Sequence, residues 1–255
     1  TLSLPECVSL ALEHNPQTSV AWQAARVAAA RVGRARADYL PTAGLSAGAA
    51  RGDAAELDEK ADRGAQDRYE GVVGARWLLF DGGGREARVA GAEAELLAAN
   101  FRQNSVLQNV ALAVQESYYR LLAARSFEEV AMETVRQRDY QLELAQARHE
   151  VGVAAKSDVL KAETEKADAD LARVRAENAV HVARGQLARA LGVGVNTEFQ
   201  IAEAPDDSNG RALGEVDALL AEAARNRPEL KSALAEVHAK RADVAEARSR
   251  YWPAL

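Results

Sequence analysis

The chain has 255 residues with 32 basic and 38 acidic side chains, a net charge of -6, and 48% apolar residues. Of these residues 56 are alanine and 13 are aromatic, so apolar surface is spread over small side chains that favour close helix packing rather than a thick core. The acidic balance without a basic stripe excludes a nucleic-acid partner, and one cysteine, Cys7, excludes a disulfide framework or multi-Cys zinc site and reads as a small buried thiol. No run of 18 apolar residues is present, so no helix is expected to cross a membrane.

Residues 1–40 read as an N-terminal helix, followed by residues 41–80 with a different rhythm. Thr42 to Gly52 and Tyr69 to Phe80 alternate with period two, each long enough to cross a bilayer as a tilted strand. Leu45, Val73, Trp77 and Leu79 share their apolar faces, while small or polar residues such as Gly44, Ser46, Glu70 and Gly74 lie opposite. Alternation alone fits an exposed hairpin on a soluble sheet as well as a membrane hairpin whose apolar face meets lipid, and no other sheet is offered for these strands to join. Residues 53–68 carry six acids and three bases and read as a solvated loop.

Asp81, Gly82 and Gly83 form the expected turn from strand to helix, with Asp81 as cap. Gly82-Gly83-Gly84-Arg85-Glu86-Ala87 also satisfies a dinucleotide fingerprint. It is read as a decoy, because the following segment runs on for some 65 residues instead of returning to a parallel strand. From about Arg85 to Glu150 there is no proline, and from Ala92 to Val151 no glycine, which predicts one very long helix. Leu107, Val110, Val114, Tyr118 and Leu121, then Val135 and Leu142, mark a coiled-coil seam. After a break at Val151-Gly152-Val153, residues 155–191 resume helical periodicity with Leu160, Ala167, Leu171 and Val174, so residues 81–191 form an antiparallel hairpin with its tip at 151–158. Gly152 reverses the chain, and Ser157 or Asp158 caps the second arm. Residues 192–214 come next as a short strand, Val195 to Ile201, and a polar loop from Ala204 to Gly214.

Residues 215–255 repeat the start of the chain. Ala11 to Pro41 aligns with Ala223 to Pro253 without a gap at nine of 31 positions, including Pro16 with Pro228, Tyr39 with Tyr251 and Pro41 with Pro253. The chain is therefore expected to hold the first of two tandem repeats plus the opening of the second, and to be truncated.

These stretches together resemble the TolC-type outer-membrane efflux protein (outer membrane factor) family. The resemblance rests on Leu2 to Pro16, Ala35 to Pro41, Trp77 to Gly83, the tip from Ala147 to Ala162, and Arg227-Pro228-Glu229-Leu230. It implies a mainly α protein with a β-hairpin, forming a homotrimer with a 12-stranded barrel in outer-membrane lipid and a helical barrel extending into the periplasm. It further implies an exit duct for an efflux pump or type I secretion system, coupled to a periplasmic adaptor protein and an inner-membrane transporter, with no enzymatic activity and no cofactor. The adaptor-docking tip it implies comprises Arg148, Val151, Gly152, Val153, Ser157 and Asp158. The four histidines show no metal-ligand spacing. The competing classes are a soluble coiled-coil scaffold and a periplasmic adaptor, the latter needing lipoyl-like and small barrel domains that the sequence does not offer.

Overall fold

The computed structural model describes residues 1–53, 65–197, 199–202 and 215–255. In chain order the elements are α1 (Leu4–His14), α2 (Pro16–Ala37), β1 (Thr42–Asp53), β2 (Ala65–Arg76), α3 (Gly84–Glu150), α4 (Lys156–Leu191), α5 (Val216–Asn226) and α6 (Pro228–Ser249). They divide between two compact units, one of residues 1–24 and 101–229, the other of residues 25–100 and 230–255.

The N-terminal region is two helices rather than one. Pro16 opens α2 at a position where its missing N–H costs nothing, and it forces Asn15 into extended backbone at φ -69°, ψ 125°. Arg227 before Pro228 adopts the same conformation at φ -62°, ψ 119°. The internal repeat is thus carried into three dimensions: α5 and α6 have the lengths of α1 and α2, 11 and 22 residues, at the same offset of 212 positions.

In the first unit α1, α3 and α4 enclose a core of Cys7, Ala11, Val110, Val114, Tyr118, Leu121, Val180, Ala183, Leu187, Leu191 and Ile201. The sequence seam from Val110 to Leu121 is wholly inside it. Burial pushes the Cys7 thiol up, with a further contribution from nearby Glu6. The periodic residues of α4 are helical as expected but do not enter the core. Leu160, Ala167, Leu171 and Val174 lie on the exposed side of α4, and its less exposed side carries Val159, Ala162, Ala169 and Val180, along with Glu165 and Lys166, which reach α3. Alanine-rich helices leave either stripe able to approach a neighbour, so spacing identifies a stripe without saying which one the adjacent arm covers. Two cross-seam ion pairs, Arg138 with Glu165 at 2.7 Å and Lys166 with Asp139, hold the hairpin in antiparallel register.

Val195 to Ile201 is also corrected. Thr197 N–H donates to Gly194 C=O at 2.9 Å, which makes a turn, and the extended part reduces to one parallel bridge between Ile201 and Leu2. The polar loop expected from Ala204 to Gly214 lies outside the described residues.

In the second unit α2, α3 and α6 approach through small residues. Ala25, Ala28 and Val32 of α2, Ala98 and Ala99 of α3, and Ala235 and Ala239 of α6 are buried, and Ser232 donates from its hydroxyl to Ala98 C=O at 3.2 Å. The strands pair antiparallel from Thr42 with Arg76 to Asp53 with Ala65. The ladder therefore runs four residues further into the expected loop than alternation suggested, with Arg51 and Asp67 facing across it at 3.5 Å, and the rest of that loop, 54–64, lies outside the described residues. At its other end β2 stops at Arg76, so Trp77 and Leu79 lie beyond the strand assigned to them. β1 has no residue left to pair with 77–80, because it begins directly after Pro41, which has no N–H to give to a ladder. Instead Leu79 and Phe80 donate N–H groups to Leu255 C=O at 2.8 and 3.0 Å, and Leu255 N–H returns a bond to Phe80 C=O at 2.8 Å.

Candidate functional site

The hairpin tip is built from the ends of α3 and α4. Gly152 stands at φ +77°. Its N–H donates to His149 C=O and that of Val153 to Arg148 C=O, both at 2.9 Å. This is the Schellman pair, which satisfies two orphan carbonyls of α3 and needs a residue that tolerates the left-handed region. Gly192 ends α4 by the same scheme at φ +75°, with Gly192 bonded to Arg189 C=O and Val193 to Ala188 C=O. The two turns differ in how the valine after the glycine is placed. Val193 packs on the core, whereas Val153 is 74% exposed and Val151 73% exposed. Two bare valines on a fixed turn are a compact apolar knob.

Arg148, Ser157 and Asp158 are exposed around that knob. The expected cap is redistributed: the N-cap of α4 is Ala155, Ser157 lies inside the first turn, and Asp158 accepts from Ala155 N–H at 3.2 Å. The structure adds His149, whose Nδ1 lies 2.9 Å from Ala154 C=O. No periodicity or motif marks this contact in the sequence, since it depends on the turn bringing residue 154 back over the last turn of α3.

On the hairpin, Leu45 opposes Val73 and Ala49 opposes Tyr69 on one face. Leu45, Tyr69 and Val73 are 80%, 79% and 82% exposed, so this apolar face has no packing partner among the described residues, while Val72 on the other face is 48% exposed. Trp77 donates its indole N–H to Tyr39 C=O at 3.1 Å, which ties the chain after β2 to the end of α2.

The strand-to-helix turn uses Asp81 as expected, its carboxylate accepting from Arg85 N–H at 2.7 Å, with Gly82 and Gly83 at φ +63° and +85°. A second residue that sequence reasoning missed is Arg85. Its guanidinium donates to Leu78 C=O at 2.6 Å and Leu79 C=O at 3.0 Å, and sits 5.0 Å from the Tyr39 ring centre. Arg85 thus supplies the donors that the backbone after β2 lacks. The sheet before Gly82 is antiparallel, so the described residues do not form the βαβ geometry a dinucleotide fingerprint requires.

Residues 7–193 match the outer membrane efflux protein family. The chain belongs to this family. Within the outer membrane efflux protein family it is 32% identical over all 255 residues to protein CyaE of Bordetella pertussis, of which it covers 53%. It is 29% identical over 199 residues to OpmQ of Pseudomonas aeruginosa, named a pyoverdine export outer membrane protein, with 78% of this chain and 41% of OpmQ aligned. The chain thus spans about half the length of these curated relatives. The crystal structure of the outer membrane protein VceC from Vibrio cholerae shares the fold with a TM-score of 0.80 at 19% identity, over 98% of this chain and 60% of VceC.

Proposed function

We propose that this chain is part of a trimeric outer-membrane channel subunit, the exit duct of a tripartite efflux pump or type I secretion system. The observation that carries this reading is the bare apolar face of the β1–β2 hairpin in a chain otherwise made of long polar-surfaced helices. Leu45, Tyr69 and Val73 would be costly in water, and a two-stranded hairpin is marginal alone, whereas in hydrocarbon that face is matched and a closed barrel satisfies its strand edges. Trp77 and Leu79, beyond the end of β2, are also exposed, at 59% and 66%. The name of OpmQ supports export as the task, and the duct acts as a passive conduit rather than as an enzyme.

In this reading the tip of Arg148, Val151, Gly152, Val153, Ser157 and Asp158 docks the periplasmic adaptor, with an inner-membrane transporter supplying the energy. The exposed α4 stripe of Leu160, Ala167, Leu171 and Val174 packs against neighbouring helices of the periplasmic barrel. The test is export in cells that retain adaptor and transporter but lack the duct gene. Full-length wild-type protein restores resistance or secretion, and Val151→Asp with Val153→Asp does not, at equal outer-membrane abundance. Restoration by the doubly substituted protein would remove the tip from the account.

A further inference from the structure

The two Schellman turns pose a question. At Gly192 the valine after the glycine is anchored in the core, but at Gly152 it is bare, so apolar packing does not fix the tip. The start of α4 is weakly defined as well, because its N-cap is Ala155, which has no side-chain oxygen to offer the first amides.

One peptide unit compensates for both. The carbonyl of the Ala154–Ala155 peptide faces His149 Nδ1 at 2.9 Å, and the N–H of the same peptide faces Asp158 Oδ2 at 3.2 Å. A carbonyl oxygen can only accept, so His149 holds its proton on Nδ1, and the carboxylate can only accept from the N–H. The peptide is gripped from the last turn of α3 on one side and the first turn of α4 on the other, and hydrogen bonds at both ends of one amide polarise each other.

We infer that His149 and Asp158 form a clamp on the Ala154–Ala155 peptide that positions the tip for docking, with His149 as a positioning residue outside the contact surface. This rests on the reading of the tip as a docking surface. The clamp substitutes for the missing hydrophobic anchor and holds Val151 and Val153 in one presentation. Docking then costs less ordering entropy than a loose loop would.

The test uses the full-length protein and two readouts, amide hydrogen exchange across residues 149–158 and export in cells. His149→Phe keeps an aromatic ring and removes the donor. His149→Asn keeps a donor, since its side-chain nitrogen is the same number of bonds from Cα as His Nδ1. His149→Phe is expected to speed exchange at Val153 and Ala155 about tenfold, the loss of roughly one hydrogen bond, and to reduce export, while His149→Asn restores both. Unchanged exchange in His149→Phe, faster exchange with unchanged export, or failure of His149→Asn to restore either readout overturns the clamp. The doubly substituted Val151→Asp, Val153→Asp protein separates the two ideas. If it loses export while His149→Phe does not, the tip docks and the clamp is wrong. If it too exports normally, the docking reading itself has failed.

Discussion

Gly152 and Gly192 offer a controlled comparison, because both sit near φ +75° in the same hydrogen-bonded turn but in different surroundings. Replacing either with alanine introduces the left-handed penalty of about 1–2 kcal/mol. At Gly152 that is the whole effect, since a Cβ there meets nothing within 4 Å. At Gly192 a Cβ would lie 2.7 Å from His14 O and 2.8 Å from Asn15 Cα. Both are backbone atoms at the α1–α2 break, so the break has to move, at an overpacking cost of about 1–3 kcal/mol. That movement also strains the bond from the Asn15 side-chain amide to Ala190 C=O, now 3.0 Å, worth about 1 kcal/mol. The expected total is about 3–6 kcal/mol at Gly192 against about 1–2 at Gly152. Native-state amide exchange reads both locally, at Val193 and at Val153. Gly152→Ala should accelerate exchange about tenfold and Gly192→Ala about a hundredfold or more. Equal acceleration at the two sites would refute the argument that α1 and the end of α4 are in backbone contact.

Tyr118→Phe removes the hydroxyl that donates to Ala202 C=O at 2.5 Å but keeps the buried ring; it should cost about 1–2 kcal/mol in chemical denaturation, well below the about 3–5 expected for Tyr118→Ala. The Glu6 carboxyl is held below its ordinary value of 4.5, first by the Ser3 backbone N–H and then by the Ser3 hydroxyl. Because the folded value is the lower one, its support for the start of α1 is present at neutral pH and is lost as the pH falls below the ordinary glutamate range. The protection of Cys7 N–H, which bonds Ser3 C=O, measured against its intrinsic exchange rate at each pH, should therefore fall with acid in the wild type and lose that dependence in Glu6→Gln. Labels at positions 45 and 73 should be quenched from the lipid phase and labels at 44 and 74 should not; equal quenching on both faces would contradict the assignment of the hairpin faces.

The features legible in the sequence were those set by backbone chemistry. Gly152 announces the reversal of the hairpin, and the matched prolines and the offset between Tyr39 and Tyr251 the repeat, whereas the helical reading of residues 1–40 runs through the break at Pro16. Alternation gave the pairing face of Leu45 and Val73, but not the ends of β2. The ladder there is decided by where β1 runs out of N–H donors at Pro41 and by the cross-strand Arg51–Asp67 pair, neither of which alternation reports. The face of α4 turned toward α3 was hidden for a different reason. In an alanine-rich helix the larger residues, Leu160, Leu171 and Val174, stand out in the sequence, yet they are exposed while Ala169 is buried and Ala162 half-buried. Arg85 and His149 were illegible because each acts on carbonyls, Leu78 and Leu79 or Ala154, brought within reach by a turn, and such contacts leave no spacing pattern.

The central claim is that the protein containing this chain forms a continuous pore through the outer membrane. Purified full-length protein should be reconstituted into planar bilayers and its single-channel current recorded. The account predicts discrete, uniform conductance steps from trimers, abolished when Leu45 and Val73 are replaced by charged residues that keep the hairpin out of lipid. Folded, membrane-inserted trimers that pass no current under any voltage would contradict it.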